Sequence, residues 1–178
     1  MSDFKSTTVL MVRRDDGICM ASDGQVTLNN TVIKAGASKV KRAGKGKVLI
    51  GFAGGAADGL ALFGRLEAKL DEFHGNLERA VVELAKDWRT DRVLRQLQAQ
   101  MIVADRGHSF RVSGNGDLLQ PDDEGLLSIG SGSGFALAAA RALIRHTELS
   151  AAEIAREAMR VAAEICVFTN DRLTLEEL

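Results

Sequence analysis

Thr7 is the residue in this chain whose chemistry depends most on its surroundings. In the middle of a polypeptide its hydroxyl has no adjacent base, and Ser6-Thr7-Thr8 ahead of Val9-Leu10-Met11-Val12 reads as the start of an ordinary β-branched strand. If the chain is cut before Thr7, the same residue carries a hydroxyl and a free α-amine whose unperturbed pKa is about 7.7–8.0. Nucleophile and general base then share one residue, the arrangement used by N-terminal nucleophiles in amide hydrolysis. That reaction also needs charge support and donors for an oxyanion. Lys39 is a candidate for the first, because a nearby ammonium lowers the pKa of an amine and stabilises negative charge on a hydroxyl oxygen. Asp23 could hold Lys39 in place and charged. The glycine-rich turn from Gly51 to Gly55 offers backbone N–H groups unhindered by large side chains, and Ser131 offers a hydroxyl beside the amine. Spacing alone does not bring these groups within hydrogen-bond reach of one another.

Other chemistries fit less well. His74, His108 and His146 are not near a cysteine or in a zinc-binding pattern, and each reads as a surface histidine. Gly130-Ser131-Gly132-Ser133-Gly134 between a strand and a helix could attract an anion. It matches no nucleotide fingerprint, since Phe135 stands where a third glycine is needed and no lysine follows as in a Walker loop. A net charge of −1 gives no electrostatic reason to expect nucleic acid or an anionic membrane as partner. Cys19 and Cys166 are too few for a disulfide framework, so a reducing, cytoplasmic setting and two buried thiols are expected. Met1–Ser6 lacks the apolar core of a secretory signal and reads as a frayed terminus or a removable leader, while residues 7–178 suit one domain.

The elements that must position these residues follow from periodicity. Thr8 to Arg13 and Ile18 to Ser22 predict a hairpin turning at Asp15-Asp16-Gly17. Val26 to Val32 reads as a polar β-branched segment, and Lys39-Val40-Lys41-Arg42 as a basic run. Val48 to Ala53 predicts a strand buried on both faces. Helical spacing runs from Asp58 to Phe73 and again from Leu77 through Trp88, ending in a charged stretch that could pair across a subunit interface. Met101 to Ala104 and Ser109 to Ser113 predict a second hairpin, Gly114-Asn115-Gly116-Asp117 a turn, and Leu126 to Ile129 a further strand. An alanine-rich helix from Phe135 to about His146 follows. The last helix is capped by Ser150 with Glu153, and its expected buried face is Ala151, Ile154, Ala158, Val161 and Ile165. Arg172 to Leu178 is a tail that docks as a strand or remains free. Strands, two helices, strands, two helices is an α+β order that favours antiparallel sheets with helices outside, and a four-layer α-β-β-α sandwich with two antiparallel sheets satisfies it.

Thr7-Thr8-Val9 with Val12-Arg13-Arg14, Asp23-Gly24-Gln25-Val26-Thr27, Lys39 to Arg42, Gly51-Phe52-Ala53-Gly54-Gly55, Ala80 to Arg92 and Ile165 to Asn170 resemble the HslV (ClpQ) family. These are the peptidase subunits of bacterial ATP-dependent HslUV proteases and relatives of proteasome β-subunits. The resemblance covers nearly all of the chain after Ser6. It implies an N-terminal-nucleophile hydrolase fold, with Thr7 as nucleophile after removal of Met1–Ser6, Asp23 and Lys39 as charged support, the Gly51 N–H as oxyanion donor and Ser131 as auxiliary. It further implies two stacked hexameric rings and an AAA+ ATPase partner, HslU, that feeds unfolded proteins and carries the ATP. A sodium ion bound by the carbonyls of Ala163, Cys166 and Thr169 is also implied, with Ala163 replacing the usual glycine. Ser22 stands where glycine is common, and Gly132-Ser133-Gly134 replaces a commoner double glycine. A non-proteolytic amidase of the same fold and an inactive ring-forming scaffold are the alternatives.

Overall fold

The computed structural model describes residues 4–5, 7–15, 17–92, 94, 97, 99–113, 116–122 and 124–178. In chain order the strands are β1 (Phe4–Lys5), β2 (Thr8–Arg14), β3 (Gly17–Ser22), β4 (Val26–Leu28), β5 (Thr31–Lys34), β6 (Val40–Ala43) and β7 (Val48–Gly54). Helices α1 (Ala56–Glu72) and α2 (Leu77–Thr90) come next, then β8 (Ala99–Ala104), β9 (Ser109–Ser113), β10 (Leu118–Leu119) and β11 (Leu126–Gly130). Helices α3 (Ser133–His146) and α4 (Ala151–Ile165) and strand β12 (Thr174–Glu177) complete the chain.

Two antiparallel sheets stack face to face, in the orders β11-β2-β3-β12 and β10-β9-β8-β7-β6. Val9, Met11, Ile18, Met20, Leu127 and Ile129 of the first sheet meet Leu49, Ala53, Ile102 and Ala104 of the second in a sealed inner layer. The opposite face of each sheet is covered by a helix pair. Leu62, Leu66 and Leu70 of α1, four residues apart, and Leu77, Val81, Leu84 and Trp88 of α2 pack on β7, β8 and β9. Each leucine stabilises the fold by about 1.5–3 kcal/mol through burial. On the other side α3 and α4 approach closely through Ala136, Ala140, Ala155 and Ala158 and lie on β2, β3 and β11. The four-layer α-β-β-α sandwich is therefore the observed architecture.

Several expectations change in detail. Val26 to Val32 is not one segment: Asn29, at φ 53°, turns it into the β4–β5 hairpin. With β1 this makes a third, three-stranded sheet. The C-terminal tail docks, with β12 pairing along β3 and Leu178 exchanging backbone hydrogen bonds with Ile18. Val161 and Ile165 are exposed on α4, whose buried stripe is Ala151, Ile154, Ala155, Ala158, Met159 and Ala162. The stripe follows alanines because only small side chains let α3 approach that face. The charged end of α2 pairs within the chain, Asp87 with Lys69 at 3.3 Å and Asp91 with Arg65 at 3.8 Å. All three histidines are exposed, and both cysteines are buried and free. Asp16 of the first turn and Gly114-Asn115 of the later one lie outside the described residues.

Candidate active site

The site lies at one end of the inner layer, where β2, β3, β7 and β11 reach a common edge. Asp23, the first residue after β3, is completely buried and gathers four donors. Its Oδ1 accepts the Thr8 N–H at 2.8 Å and the Lys39 ammonium at 3.1 Å. Its Oδ2 accepts the N–H groups of Gln25 at 2.9 Å and Asn170 at 3.4 Å. A buried carboxylate is tolerated only when paired and hydrogen-bonded, and this one is both.

Lys39 directly precedes β6. The Phe52 N–H donates to its carbonyl at 3.2 Å, which fixes the residue against β7. Its side chain turns inward, donating to Asp23 and, at 2.5 Å, to the Gln25 carbonyl. Of the basic run, Lys39 is thus buried, whereas Arg42 is exposed and pairs with Glu176. Burial pulls the Lys39 ammonium below the ordinary lysine value, with the charge and hydrogen bond of Asp23 opposing the shift. By contrast, burial pushes the Cys19 thiol up to about 12, which leaves it inert.

Thr7 is held on its carbonyl side. It is buried and adopts φ 108°, a conformation that costs a β-branched residue about 1–3 kcal/mol. Its carbonyl accepts the Ser131 N–H at 2.9 Å. Gly130, at φ 93°, passes so close that an added Cβ would lie 1.8 Å from that carbonyl oxygen, so no other residue fits there. Thr8 ties Thr7 to the charged pair through its N–H. The Thr8 hydroxyl also accepts the Gly132 N–H at 2.9 Å and meets the Thr169 hydroxyl at 2.7 Å. Asp23, Lys39, Thr7 and the Ser131 backbone therefore meet in one place, and the Ser131 side chain lies exposed at its rim.

Gly51 is placed differently. It sits mid-strand in β7, and an added Cβ would strike Val9 at 2.6 Å and Met20 at 2.9 Å, both in the inner layer. The Phe52 N–H points toward the β6 side, so alternation along the strand turns the Gly51 N–H toward β8, opposite Ile102. The required smallness of Gly51 is explained by sheet packing. The N–H that shares the Phe52 direction is that of Gly54, at φ 121°, beyond the end of β6. Among the N–H groups of the Gly51–Gly55 turn, that of Gly54 is thus the one on the open β6 side, and its position at the strand end next to a second glycine was the available signal. Thr8, Thr169 and Asn170 were also missed as structural partners of the site; the Thr8–Thr169 and Asp23–Asn170 contacts span 161 and 147 residues of sequence.

Ala163 and Thr169 share the lining of a cleft of about 420 Å³ at the C-terminal end of α4 with Arg160, Glu164, Asn170 and Asp171. Cys166 caps that helix, and its carbonyl accepts the Thr169 N–H at 3.0 Å. Last-turn carbonyls lack intrahelical donors and carry the negative end of the helix dipole. With the two carboxylates they supply oxygen donors of the kind a hard monovalent cation takes, and Arg160 in the same lining is paired with Glu157 at 2.6 Å.

Residues 4–178 match the family described as Proteasome subunit. The chain is 59% identical over 175 residues to the ATP-dependent protease subunit HslV of Thermosipho africanus, covering 98% of this chain and 99% of that protein. It is 56% identical over 176 residues to the protein of the same name from Pseudothermotoga lettingae, covering 99% of each. Among solved structures, eukaryotic HslV from Trypanosoma brucei superposes with a TM-score of 0.92 at 46% identity, covering 96% of this chain and 98% of that one.

Proposed function

The chain belongs to the proteasome-subunit family, in its HslV branch, and from that premise we propose that it is the threonine peptidase subunit of a chambered ATP-dependent protease. Thr7 becomes the N-terminal residue when the Ser6–Thr7 bond is cut. Its α-amine takes the hydroxyl proton as Oγ1 attacks the scissile carbonyl, giving a tetrahedral oxyanion held by backbone N–H groups of the Gly51–Gly55 turn, chiefly that of Gly54. Collapse breaks the C–N bond, the ammonium returns its proton to the leaving amine, and an ester remains on Thr7. Water then attacks the ester with the same amine as base and regenerates the hydroxyl. Lys39 keeps the amine unprotonated and stabilises charge on Oγ1, and Asp23 fixes Lys39.

The observation that carries this reading is the buried Lys39–Asp23 pair, hydrogen-bonded through Thr8 to the backbone next to Thr7. A solvated lysine could not lower the pKa of an amine to the same extent, because water would screen it.

The relatives' description as subunits of an ATP-dependent protease supports an AAA+ ATPase partner, HslU, that unfolds and delivers protein substrates, and assembly into two stacked hexameric rings. A sodium ion at the Ala163, Cys166 and Thr169 carbonyls would lock the loop that carries Thr169 and Asn170, both bonded to the site. A cytoplasmic setting accords with two free buried thiols, and no helix among the described residues is long and apolar enough to cross a membrane.

The test pairs mass measurement of the mature N-terminus with peptide hydrolysis. A chain beginning at Thr7 should hydrolyse peptides, and Thr7→Ala should abolish hydrolysis while the assembly elutes unchanged. Full activity of Thr7→Ala would overturn the reading.

A further inference from the structure

The face of the five-stranded sheet that looks into the inner layer carries an unusual pair. Ala53, Gln100, Ile102, Arg111 and Ser113 share this face, because Gln100 stands opposite both Ala53 and Ser113, and Ile102 opposite Arg111. The facing sheet ends at β11, which lies over β7 and β8, so β9 and β10 extend past its edge. Arg111 therefore sits where the inner layer opens.

Its side chain runs toward the catalytic end. The guanidinium donates to Gln100 Oε1 at 3.2 Å, a diagonal reach along the strand in the direction of Ala53. Ala53 lies against Gly130, whose added Cβ would be 3.3 Å from the Ala53 Cβ and in collision with the Thr7 carbonyl. Thr7, Ala53, Gln100 and Arg111 thus form a continuous wall. With about 4.8 Å between strands, the Arg111 backbone stands two strands, roughly 10 Å, from that of Ala53 beside the Thr7 end, the span of about three residues of extended peptide.

The charge on this wall is unmatched. Arg14, Arg42, Arg141, Arg145 and Arg160 each reach a carboxylate. Arg111 has none among the described residues, and its Nε is buried with no hydrogen-bond partner. A half-buried guanidinium with donors left over is a fork shaped for a carboxylate.

We propose that Arg111, positioned by Gln100, is a specificity determinant that favours substrates carrying an acidic side chain about three residues from the bond cut at Thr7. This rests on the peptidase reading above. The carboxylate accepts from the terminal guanidinium N–H groups that Gln100 leaves free, and Gln100 keeps the guanidinium from swinging to solvent.

Matched peptides carrying Glu or Gln at successive positions around one cleavage site test it, with the processed protein and its ATPase partner. For one position kcat/KM should favour Glu over Gln by roughly tenfold, as charge-assisted hydrogen bonds allow. Arg111→Leu should erase that preference while cleaving the Gln peptides at the normal rate, and Arg111→Lys should retain part of it. An equal Glu-to-Gln ratio in wild type and Arg111→Leu overturns the inference and leaves the peptidase reading intact. The same holds if Arg111→Leu changes only the assembly size, since its partner would then be a second copy. Failure of the wild type to cleave any of the peptides, Glu or Gln, after leader removal would overturn both.

Discussion

Replacing Lys39 with methionine separates what the buried ion pair does for the fold from what it does for catalysis. Lys39→Met keeps the apolar stem and removes only the charge, so little cavity is created. Asp23 is then left as a fully buried carboxylate, its side chain 0% exposed. Removing one partner of such a pair costs about 3–5 kcal/mol. Three backbone donors, from Thr8, Gln25 and Asn170, remain on Asp23, which places the cost near the lower end, about 3 kcal/mol. For a chain of this size that lowers the melting temperature by about 6–12 °C.

Adding Asp23→Asn removes the orphaned charge and should recover part of the loss. Recovery is incomplete because the new amide nitrogen faces N–H donors where the carboxylate accepted them. Peptide hydrolysis stays lost in both variants, so stability and activity part company. The pH dependence has a definite sign. The folded Lys39 pKa lies below the ordinary lysine value of about 10.5, so between the two values the unfolded chain binds more protons and wild-type stability rises with pH. This contribution is complete above about 10.5 and is lost as pH falls through the folded value; Lys39→Met lacks the rise. Thermal unfolding at fixed protein concentration, with kcat/KM on one peptide, reads both effects. A Lys39→Met protein that melts within about 1 °C of wild type, or hydrolyses at the wild-type rate, would refute the reasoning.

Gly130→Ala should inactivate the site and destabilise the chain by more than about 3 kcal/mol, because the new methyl collides with the Thr7 carbonyl in a backbone conformation only glycine tolerates; a fully active Gly130→Ala protein would show that Thr7 is not clamped there. Ser22→Ala should do the opposite. The Ser22 hydroxyl is buried with no partner among the described residues, and removing it should raise stability by about 1 kcal/mol in urea unfolding, whereas a loss would mean the hydroxyl has a bound water.

The frame was legible wherever a local pattern carried it. Leu62-Leu66-Leu70 spacing, the Ser150–Glu153 capping box and the apolar run of β7 each specify one element without reference to the rest. The β4–β5 hairpin was missed although Asn29-Asn30 is a turn signal, because the polar residues on either side hide the strand period. Val161 and Ile165 misled because helical spacing gives a face, while the choice of face depends on how closely a neighbour must approach. The site was less legible still. Asp23 and Lys39 are separated by sixteen residues and a whole hairpin, and only a family resemblance linked them. Gly51 shows the limit of that route: Val9 and Met20 across the sheet require a glycine there on packing grounds alone.

What Thr7 needs from the fold lies almost entirely on its C-terminal side. Thr8 is bonded to Asp23 through its N–H and to Gly132 through its hydroxyl, and the Thr7 carbonyl is fixed by Ser131 and crowded by Gly130. None of these contacts involves the residues before Thr7. Upstream, the chain pairs β1 with β4, so the described leader backbone adds to the small third sheet and leaves the two main sheets complete without it. The unfavourable φ of Thr7 sits where these two anchors meet. On the proposed reading, cutting the Ser6–Thr7 bond frees only the upstream side. The pair that tunes the amine and the glycine turn that receives the oxyanion are then already in place, so activation changes one covalent bond within a finished frame and requires no refolding.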